Sequence, residues 1–288
     1  MRYSYFPGCS LEATARSYAV STEAVCKALG IELEELEDWN CCGATAFYSI
    51  DELLALSLAG RNLALAEKKG RDLVVSCSGC YITLEKANAT LRDYPALKAQ
   101  VDEVLAEADL EYHGGVKVRH FLEVFINDIG LEAIKDNLKK ELKGLKVAPY
   151  YGCQIVRPQL GFDDTEFPES MDNLMAALGA DIVPFPLKSR CCGGPLIVPQ
   201  EKLALDLIHR LFRVADANGA QCLVTVCPLC QMNLDLYQSK VNSKYKTNYE
   251  LPVLFFTQLV GVACGLDPKG LGLEMNIVSP RKVLAQYL

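Results

Sequence analysis

A duplicated order of cysteines is the feature that most constrains this chain. Ten of its thirteen cysteines form two copies of one pattern: a single cysteine, an adjacent pair and a CxxC. Between the single cysteine and the pair lie 31 residues in one copy and 37 in the other, and 34 residues separate the pair from the CxxC in both. The two sets are Cys9, Cys41, Cys42, Cys77 and Cys80, and Cys153, Cys191, Cys192, Cys227 and Cys230. Packing gives no reason for such a repeat, so the pattern indicates two homologous halves with one thiol site each.

The thiols are expected to bind metal rather than to form disulfides. The start MRYSYFPGCS has no apolar secretion segment, and no apolar run reaches the roughly 18 residues that span a bilayer. We therefore expect a cytoplasmic protein without a membrane span, in a compartment that keeps ordinary thiols reduced. The net charge of -7 also argues against a nucleic-acid partner, because phosphates are bound by clustered Lys and Arg.

Short apolar runs that stand just before a cysteine predict strands, and the longer segments between these runs predict helices. Runs before Cys9, Cys77, Cys153 and Cys227 are typical of buried strands. Apolar residues recur at helical spacing over 52–69 and 201–218, each followed by glycine. The alternation predicts an α/β fold of two homologous lobes related by a pseudo-two-fold, each a small three-layer unit with a short parallel sheet. Because ligands collect beyond the carboxyl ends of parallel strands, the thiols of each half should meet there.

The domain boundary is predicted near the middle of the chain. Residues 96–140 look helical and would carry the chain from one half to the other, with breaks at Gly114, Gly115 and Gly144. We assign 1–144 to the first lobe with its helical connector and 145–288 to the second. The segment VLFFTQLV in the second half echoes VRHFLEVF in the first, which supports duplication.

Five thiols per half exceed the four that a cubane cluster or a zinc ion needs. Thiolates are ligands of both, and the adjacent pairs followed by Gly43 and Gly193 suit a turn in which two sulfurs approach a larger or less regular cluster. Zinc in one or both halves is the alternative. Cys26, Cys222 and Cys264 have no counterpart in the other half and are predicted to be core residues.

Other residues are weaker candidates for the same site. Arg157, Lys188 and Arg190 flank cysteines of the second half and could bind an anionic substrate, although ordinary surface cations are the alternative. His120 could deliver protons near a cluster, whereas His209 is expected at a surface or interface. The chain has no ferredoxin-type cysteine run and no GxGxxG or P-loop segment, so electrons should arrive from a separate polypeptide.

At these cysteines the chain resembles the CCG-domain family, and within it the B subunit of heterodisulfide reductase, over nearly its whole length. The segments that carry the resemblance are YFPGC, NCCGA, SCSGC, YYGCQIVRP, CCGGP and CPLC. The doubled motif is specific for the family and less specific for a substrate.

The resemblance implies the chemistry and the partners. Each half would hold a noncubane [4Fe-4S] cluster on its five cysteines, and both clusters would face one cavity where a disulfide is split into two thiols. The family's substrate is the mixed disulfide of coenzyme M and coenzyme B. Its partners are a small ferredoxin-like subunit with cubane clusters and a flavin-containing subunit.

Three other assignments stay open. One is a CCG-type relay subunit of a lactate, glycolate or succinate oxidoreductase, although such relatives often carry degenerate cysteines in the second half. Another is a one-cluster relative with one [4Fe-4S] cluster and one zinc. The third is a zinc-stabilised scaffold without activity.

Overall fold

The computed structural model describes residues 1–44, 47–157 and 161–288. Its strands are β1 (Arg2–Phe6), β2 (Glu32–Glu35), β3 (Leu73–Val75), β4 (Val118–His120), β5 (Lys146–Tyr150), β6 (Asp181–Ile182), β7 (Cys222–Thr225) and β8 (Val253–Phe255). The helices up to residue 136 are α1 (Cys9–Glu12), α2 (Arg16–Leu29), α3 (Phe47–Ile50), α4 (Glu52–Lys69), α5 (Ser78–Asp93), α6 (Pro95–Ala106), α7 (Phe121–Val124) and α8 (Leu131–Asp136), with a π-helical turn at Phe125–Ile129. The later helices are α9 (Ser170–Ala177), α10 (Glu201–Ala217), α11 (Pro228–Leu236), α12 (Gln238–Tyr245), α13 (Phe256–Ala263) and α14 (Arg281–Leu284), with 3-10 turns at Gly194–Leu196 and Leu273–Met275.

Two four-stranded parallel sheets follow one plan. Their strand orders are β2-β1-β3-β4 and β6-β5-β7-β8. The register pairs Val75 with His120 in the first sheet and Thr225 with Phe255 in the second, so these positions correspond. The predicted α/β class, with a short parallel sheet in each half and cysteines just beyond the strand ends, is confirmed.

Contacts group the chain into two compact units. Unit 1 comprises residues 1–9 and 31–121, and unit 2 comprises residues 10–30 and 122–288. Helix α2, which follows the first single cysteine in sequence, therefore belongs to unit 2. There the Tyr18 ring stacks on Phe255 at 4.1 Å between centroids, and Ser21 Oγ lies 2.7 Å from Thr257 Oγ1. The boundary at 144/145, drawn from the sequence repeat, stays a prediction.

The helix predicted over 52–69 is present with those bounds as α4. Asp51 accepts a hydrogen bond from Leu54 N at its start, and Gly70 ends it in the left-handed conformation. Leu56 and Leu63 on its inner face are fully buried. The helix predicted over 201–218 is α10, which ends one residue earlier.

The prediction of a helical connector over 96–140 was partly wrong. Helix α6 ends at Ala106, and Val118–His120 then forms β4 as the fourth strand of the first sheet. The echoing segment in the second half begins as β8 in the same way. Three-residue strands are too short to show a periodicity of two, and their apolar residues merge with the helix that follows. Helix α2 begins at Arg16 and carries the buried Cys26.

Candidate metal centre

Unit 1 brings its five predicted thiols together. Cys9 follows β1, and Cys77 is the N-cap of α5, so both lie at the carboxyl edge of the sheet. Cys9 Sγ lies 3.8 Å from Cys41 Sγ, and Cys42 Sγ lies 3.2 Å from Cys80 Sγ. Hydrogen bonds between Cys41 and Cys42 and between Cys77 and Cys80 complete a continuous set of sulfur contacts.

Unit 2 repeats the arrangement. Cys192 Sγ lies 3.5 Å from Cys230 Sγ, and Gly193 N donates to Cys191 Sγ at 3.3 Å. Cys153 hydrogen-bonds with Cys191, Cys191 with Cys192, and Cys230 with Cys227. All thirteen cysteines of the chain are free thiols.

The shared hydrogen bonds favour a thiolate at a different position in each unit. In unit 1, hydrogen bonds with the thiols of Cys41 and Cys80 lower the pKa of Cys42 to about 4. In unit 2, hydrogen bonds from Cys153 and Cys192 lower the pKa of Cys191 to about 2, and the charge of Arg157 adds to the effect. Since the thiolate is the form that binds metal, both groups contain a sulfur prepared for ligation.

The backbone approaches both thiol groups closely at a glycine. A Cβ on Gly8 would lie 2.9 Å from Cys80 Sγ, and one on Gly152 would lie 2.9 Å from Cys230 Sγ. Both glycines have positive φ, 75° and 71°, which other residues rarely adopt. The motif positions YFPGC and YYGC therefore require glycine for space as well as for conformation.

The donor chemistry fits an iron–sulfur cluster. Five soft thiolates per unit match iron–sulfur ligation, and Cys77 and Cys227 each place the positive end of a helix against the sulfurs, where it stabilises negative charge. The Tyr48 hydroxyl is buried near Cys42 and has no hydrogen-bond partner among the described residues, so a cluster sulfur would satisfy it. In the described ranges, no group of three or more His, Cys, Asp or Glu side chains is arranged to hold a single metal ion.

The three basic candidates have different surroundings. Arg157 is exposed and close enough to Cys191 to influence its pKa. Lys188 Nζ pairs with Asp172 Oδ1 at 3.1 Å, and Arg190 is exposed while its carbonyl accepts a hydrogen bond from Tyr150. Anion binding by these residues stays a prediction. Pro158, which closes the motif YYGCQIVRP, lies outside the described residues.

The histidines and the remaining cysteines also have defined environments. His120 ends β4 and is fully buried, with Nε2 3.4 Å from Ser78 Oγ. His209 is partly exposed and stacks on Tyr245 at 3.9 Å between ring centroids. The three cysteines predicted for the core are buried: Cys26, Cys222 and Cys264.

Sequence reasoning missed the side chains that support the cysteine loops. Asn62 and Asn233 are fully buried polar residues on otherwise apolar helix faces. Asn62 hydrogen-bonds the backbone directly before one adjacent cysteine pair, and Asn233 hydrogen-bonds the backbone within the other. A polar residue on an apolar face was the signal that could have identified them, because buried amides require partners. Tyr48 carried no such signal.

Comparison with known proteins supports the assignment of family. The cysteine-rich domain model named CCG matches residues 3–85 and 147–235, one match in each half. The chain is 39% identical over 283 residues to the 8-methylmenaquinol:fumarate reductase membrane anchor subunit of Wolinella succinogenes, covering 98% of both chains. It is 35% identical over 291 residues to the B subunit of the ferredoxin/F(420)H(2)-dependent CoB-CoM heterodisulfide reductase of Methanosarcina acetivorans, covering 99% of this chain and 96% of the relative.

A solved structure shares the fold. A hypothetical protein from Helicobacter pylori superposes with a TM-score of 0.78 at 19% identity over 96% of this chain. The chain spans about half of that protein, 52% of its length.

Fold and thiol groups together define a duplicated, cysteine-rich α/β protein with one five-thiol site in each half. The chain belongs to the CCG cysteine-rich domain family and is similar over nearly its full length to the B subunit of heterodisulfide reductase. The resemblance predicted from the cysteine motifs is thus confirmed. These relatives from Wolinella and Methanosarcina are named as subunits of reductases.

Proposed function

We propose that this chain is the catalytic subunit of a heterodisulfide reductase-like complex and cleaves a disulfide at two noncubane [4Fe-4S] clusters. The observation that carries the proposal is the complete set of five contacting thiols in each half. A structural zinc site needs four ligands, so five in both halves favour clusters of several irons. We propose the coenzyme M/coenzyme B heterodisulfide as the substrate, because the Methanosarcina relatives are named as subunits of CoB-CoM heterodisulfide reductases.

The proposed reaction consumes two electrons and two protons. The S–S bond breaks, each sulfur takes one electron and one proton, and two thiols leave. When bound, the two clusters would supply the electrons one each, which avoids a free thiyl radical. The ten cysteines would hold the iron of the clusters. Six of them are buried from water: Cys42, Cys77, Cys80, Cys192, Cys227 and Cys230.

The electrons are proposed to come from partner subunits. The sequence holds neither a ferredoxin-type cysteine run nor a GxGxxG segment. A ferredoxin-like subunit with cubane clusters and a flavin-containing subunit would fill these roles in a cytoplasmic complex. In the part of the chain that the structure describes, no helix is both long and apolar enough to cross a bilayer.

A second candidate function follows from the Wolinella relative. That protein is named as the membrane anchor subunit of an 8-methylmenaquinol:fumarate reductase. By analogy this chain would relay electrons between a quinol and a partner protein, and no disulfide would be cleaved.

Anaerobic purification followed by metal analysis and two assays separates the candidates. The disulfide reductase should contain about eight irons and eight sulfides per chain, and reduced viologen should drive it to cleave the coenzyme M/coenzyme B heterodisulfide. A fully loaded chain, in complex with its partners, that oxidises a menaquinol analogue and leaves the disulfide intact would support the relay. About four irons and one zinc would indicate a relative with one cluster and one zinc. Zinc alone would contradict both the disulfide reductase and the electron relay.

A further inference from the structure

Three corresponding positions around the two thiol groups are polar in unit 1 and apolar in unit 2. The spacing from the cysteines and the strand register define the pairs, which are Tyr48 and Val198, Ser78 and Pro228, and His120 and Phe255. Each pair belongs to a different segment of its unit, so the polarity difference is distributed around the site.

The first pair lies six residues after the second cysteine of each adjacent pair. The Tyr48 hydroxyl is buried and unpartnered among the described residues. Burial raises the pKa of Tyr48 to about 12, and the nearby Glu52 and Cys42 add to the shift. Val198 is 90% exposed and has no polar side-chain atom. Only unit 1 therefore offers a phenolic donor at this position.

The second pair directly follows the first cysteine of each CxxC. Ser78 begins α5 and provides both an N–H and a hydroxyl, whereas Pro228 begins α11 and provides neither. Because the first N–H groups of a helix point out of its end, Ser78 adds an N–H donor where the helix meets the sulfurs. Proline at Pro228 removes that donor from unit 2.

The third pair ends the fourth strand of each sheet. The buried His120 ring lies against one residue of the CxxC turn and the residue that follows the turn, with Nε2 3.4 Å from Ser78 Oγ and its centroid 5.7 Å from that of Tyr81. Phe255 instead stacks on Tyr18 at 4.1 Å between centroids. His120 can therefore orient the Ser78 hydroxyl, and Phe255 has no such ability.

We propose that Tyr48, Ser78 and His120 make unit 1 the hydrogen-bonded cluster site, and that they raise the reduction potential of its cluster. Reduction adds negative charge to the cluster, and donors near its sulfurs stabilise that charge. Tyr48 and Ser78 act as donors, and His120 is a positioning residue that acts through Ser78. This inference rests on the proposed function, because it requires a cluster in each unit.

One charged group would raise the reduction potential in unit 2 instead. Arg157 is close enough to Cys191 to lower the pKa of that thiol, and a cation would raise the potential of a cluster in unit 2. It is exposed, so salt screens its effect, whereas Tyr48 Oη and His120 are buried and screened little. The test therefore follows each cluster separately instead of comparing the two potentials alone.

The experiment is an anaerobic redox titration of the iron-loaded full chain, monitored by electron paramagnetic resonance. Tyr48→Phe and His120→Phe should each lower the midpoint potential of one cluster and leave the other unchanged, and His120→Gln, which keeps a donor, should restore most of the potential. Tyr112→Phe is the matched control, because it removes a buried hydroxyl of unit 1 that bonds Asn88 instead. Repeating His120→Phe in the Cys192→Ala and Cys42→Ala backgrounds assigns the affected cluster.

The outcomes separate this proposal from the function on which it rests. A shift confined to the unit 1 cluster supports it. Two intact clusters with unmoved potentials in both Tyr48→Phe and His120→Phe, or a shift in the unit 2 cluster, overturn it and leave disulfide reduction standing. A wild-type chain that holds no iron overturns both. Iron and sulfide content and circular dichroism of every variant show whether it is folded and loaded.

Discussion

The two thiol groups make the same sulfur contacts, yet different side chains hold their loops. In unit 1, Asn62 of α4 accepts from Asn40 N at 3.0 Å and donates to Asn40 O at 2.9 Å, directly before the adjacent cysteines. In unit 2, Asn233 of α11 donates to Cys192 O at 2.8 Å, and Tyr150 donates to Arg190 O at 2.7 Å. The supporting helix follows the cysteine pair in unit 1, whereas in unit 2 it begins within the CxxC.

This difference shows which features of a duplicated thiol site are constrained. The sulfurs must converge on one point, so their spacing and the glycine beside them recur in both halves. A loop can be held by any donor of suitable reach, so its supports are free to differ. Exposure differs as well: Cys9 and Cys41 are exposed, whereas Cys153 and Cys191 are half-buried.

The largest expected effect comes from removing one ligand from each group. Cys42→Ala and Cys192→Ala should each remove or distort one cluster and leave the other, so that iron per chain falls towards half, about four. Iron and sulfide analysis with electron paramagnetic resonance measures this. Cys222→Ala is the control, because Cys222 is equally buried but lies outside both groups. Full iron in both ligand variants would contradict the five-thiol assignment.

Adding a methyl group at the close backbone approach is the next test. Gly8→Ala should abolish the cluster proposed for unit 1, because the new Cβ would meet Cys80 Sγ. It should also lower the free energy of unfolding by more than the ~1–2 kcal/mol expected from the left-handed conformation alone. Gly152→Ala should do the same in unit 2. Gly70→Ala is the matched control: its φ is 64°, and no heavy atom of the described residues lies within 4 Å of the added Cβ.

Iron content and urea unfolding distinguish the two costs. Gly70→Ala should lose stability and keep its iron, whereas Gly8→Ala should lose both. Equal iron in the two variants would show that the glycine serves conformation only.

The sequence predicted which thiols come together far better than it predicted the side chains around them. The ten cysteines were identified from their spacing, because a repeated interval survives without knowledge of the fold. Where strand β4 lies, the sequence predicted a helix, because three residues are too few to show the periodicity of a strand. Helix α2 was assigned to the first lobe, but its packing against α13 in unit 2 depends on partners far away in sequence, such as Tyr18 with Phe255.

The unequal supports give the third prediction. Asn62→Leu leaves the backbone of Asn40 without its hydrogen-bond partners. It should lower the free energy of unfolding by about 1–3 kcal/mol. Asn233→Leu should cost less, about 1 kcal/mol, because it breaks one bond and also removes an amide oxygen that has no partner among the described residues. Urea unfolding followed by circular dichroism compares the two variants. A larger loss of unfolding free energy in Asn233→Leu than in Asn62→Leu would contradict the prediction.

The smallest expected effect is a pH dependence confined to unit 1. Hydrogen bonds from Arg71 and Lys69 lower the pKa of Glu34 on the edge strand β2 to about 2, from an ordinary value of 4.5. The folded state thus binds the proton more weakly than the unfolded state, so this contribution to stability is complete above pH 4.5 and is lost as the pH falls towards 2. Glu34→Gln should flatten the dependence in that window.

The chain's single tryptophan reports on the unit concerned. Trp39 packs edge-on against Phe6 in unit 1, with 5.3 Å between ring centroids. Its fluorescence during urea unfolding at several pH values should therefore follow the loss of the Glu34 contribution. Asp181→Asn on β6, the edge strand of the second sheet, is the control and should leave the fluorescence transition unchanged. If the free energy of unfolding changed equally with pH in wild type and Glu34→Gln, the contacts of Arg71 and Lys69 would not stabilise the Glu34 carboxylate.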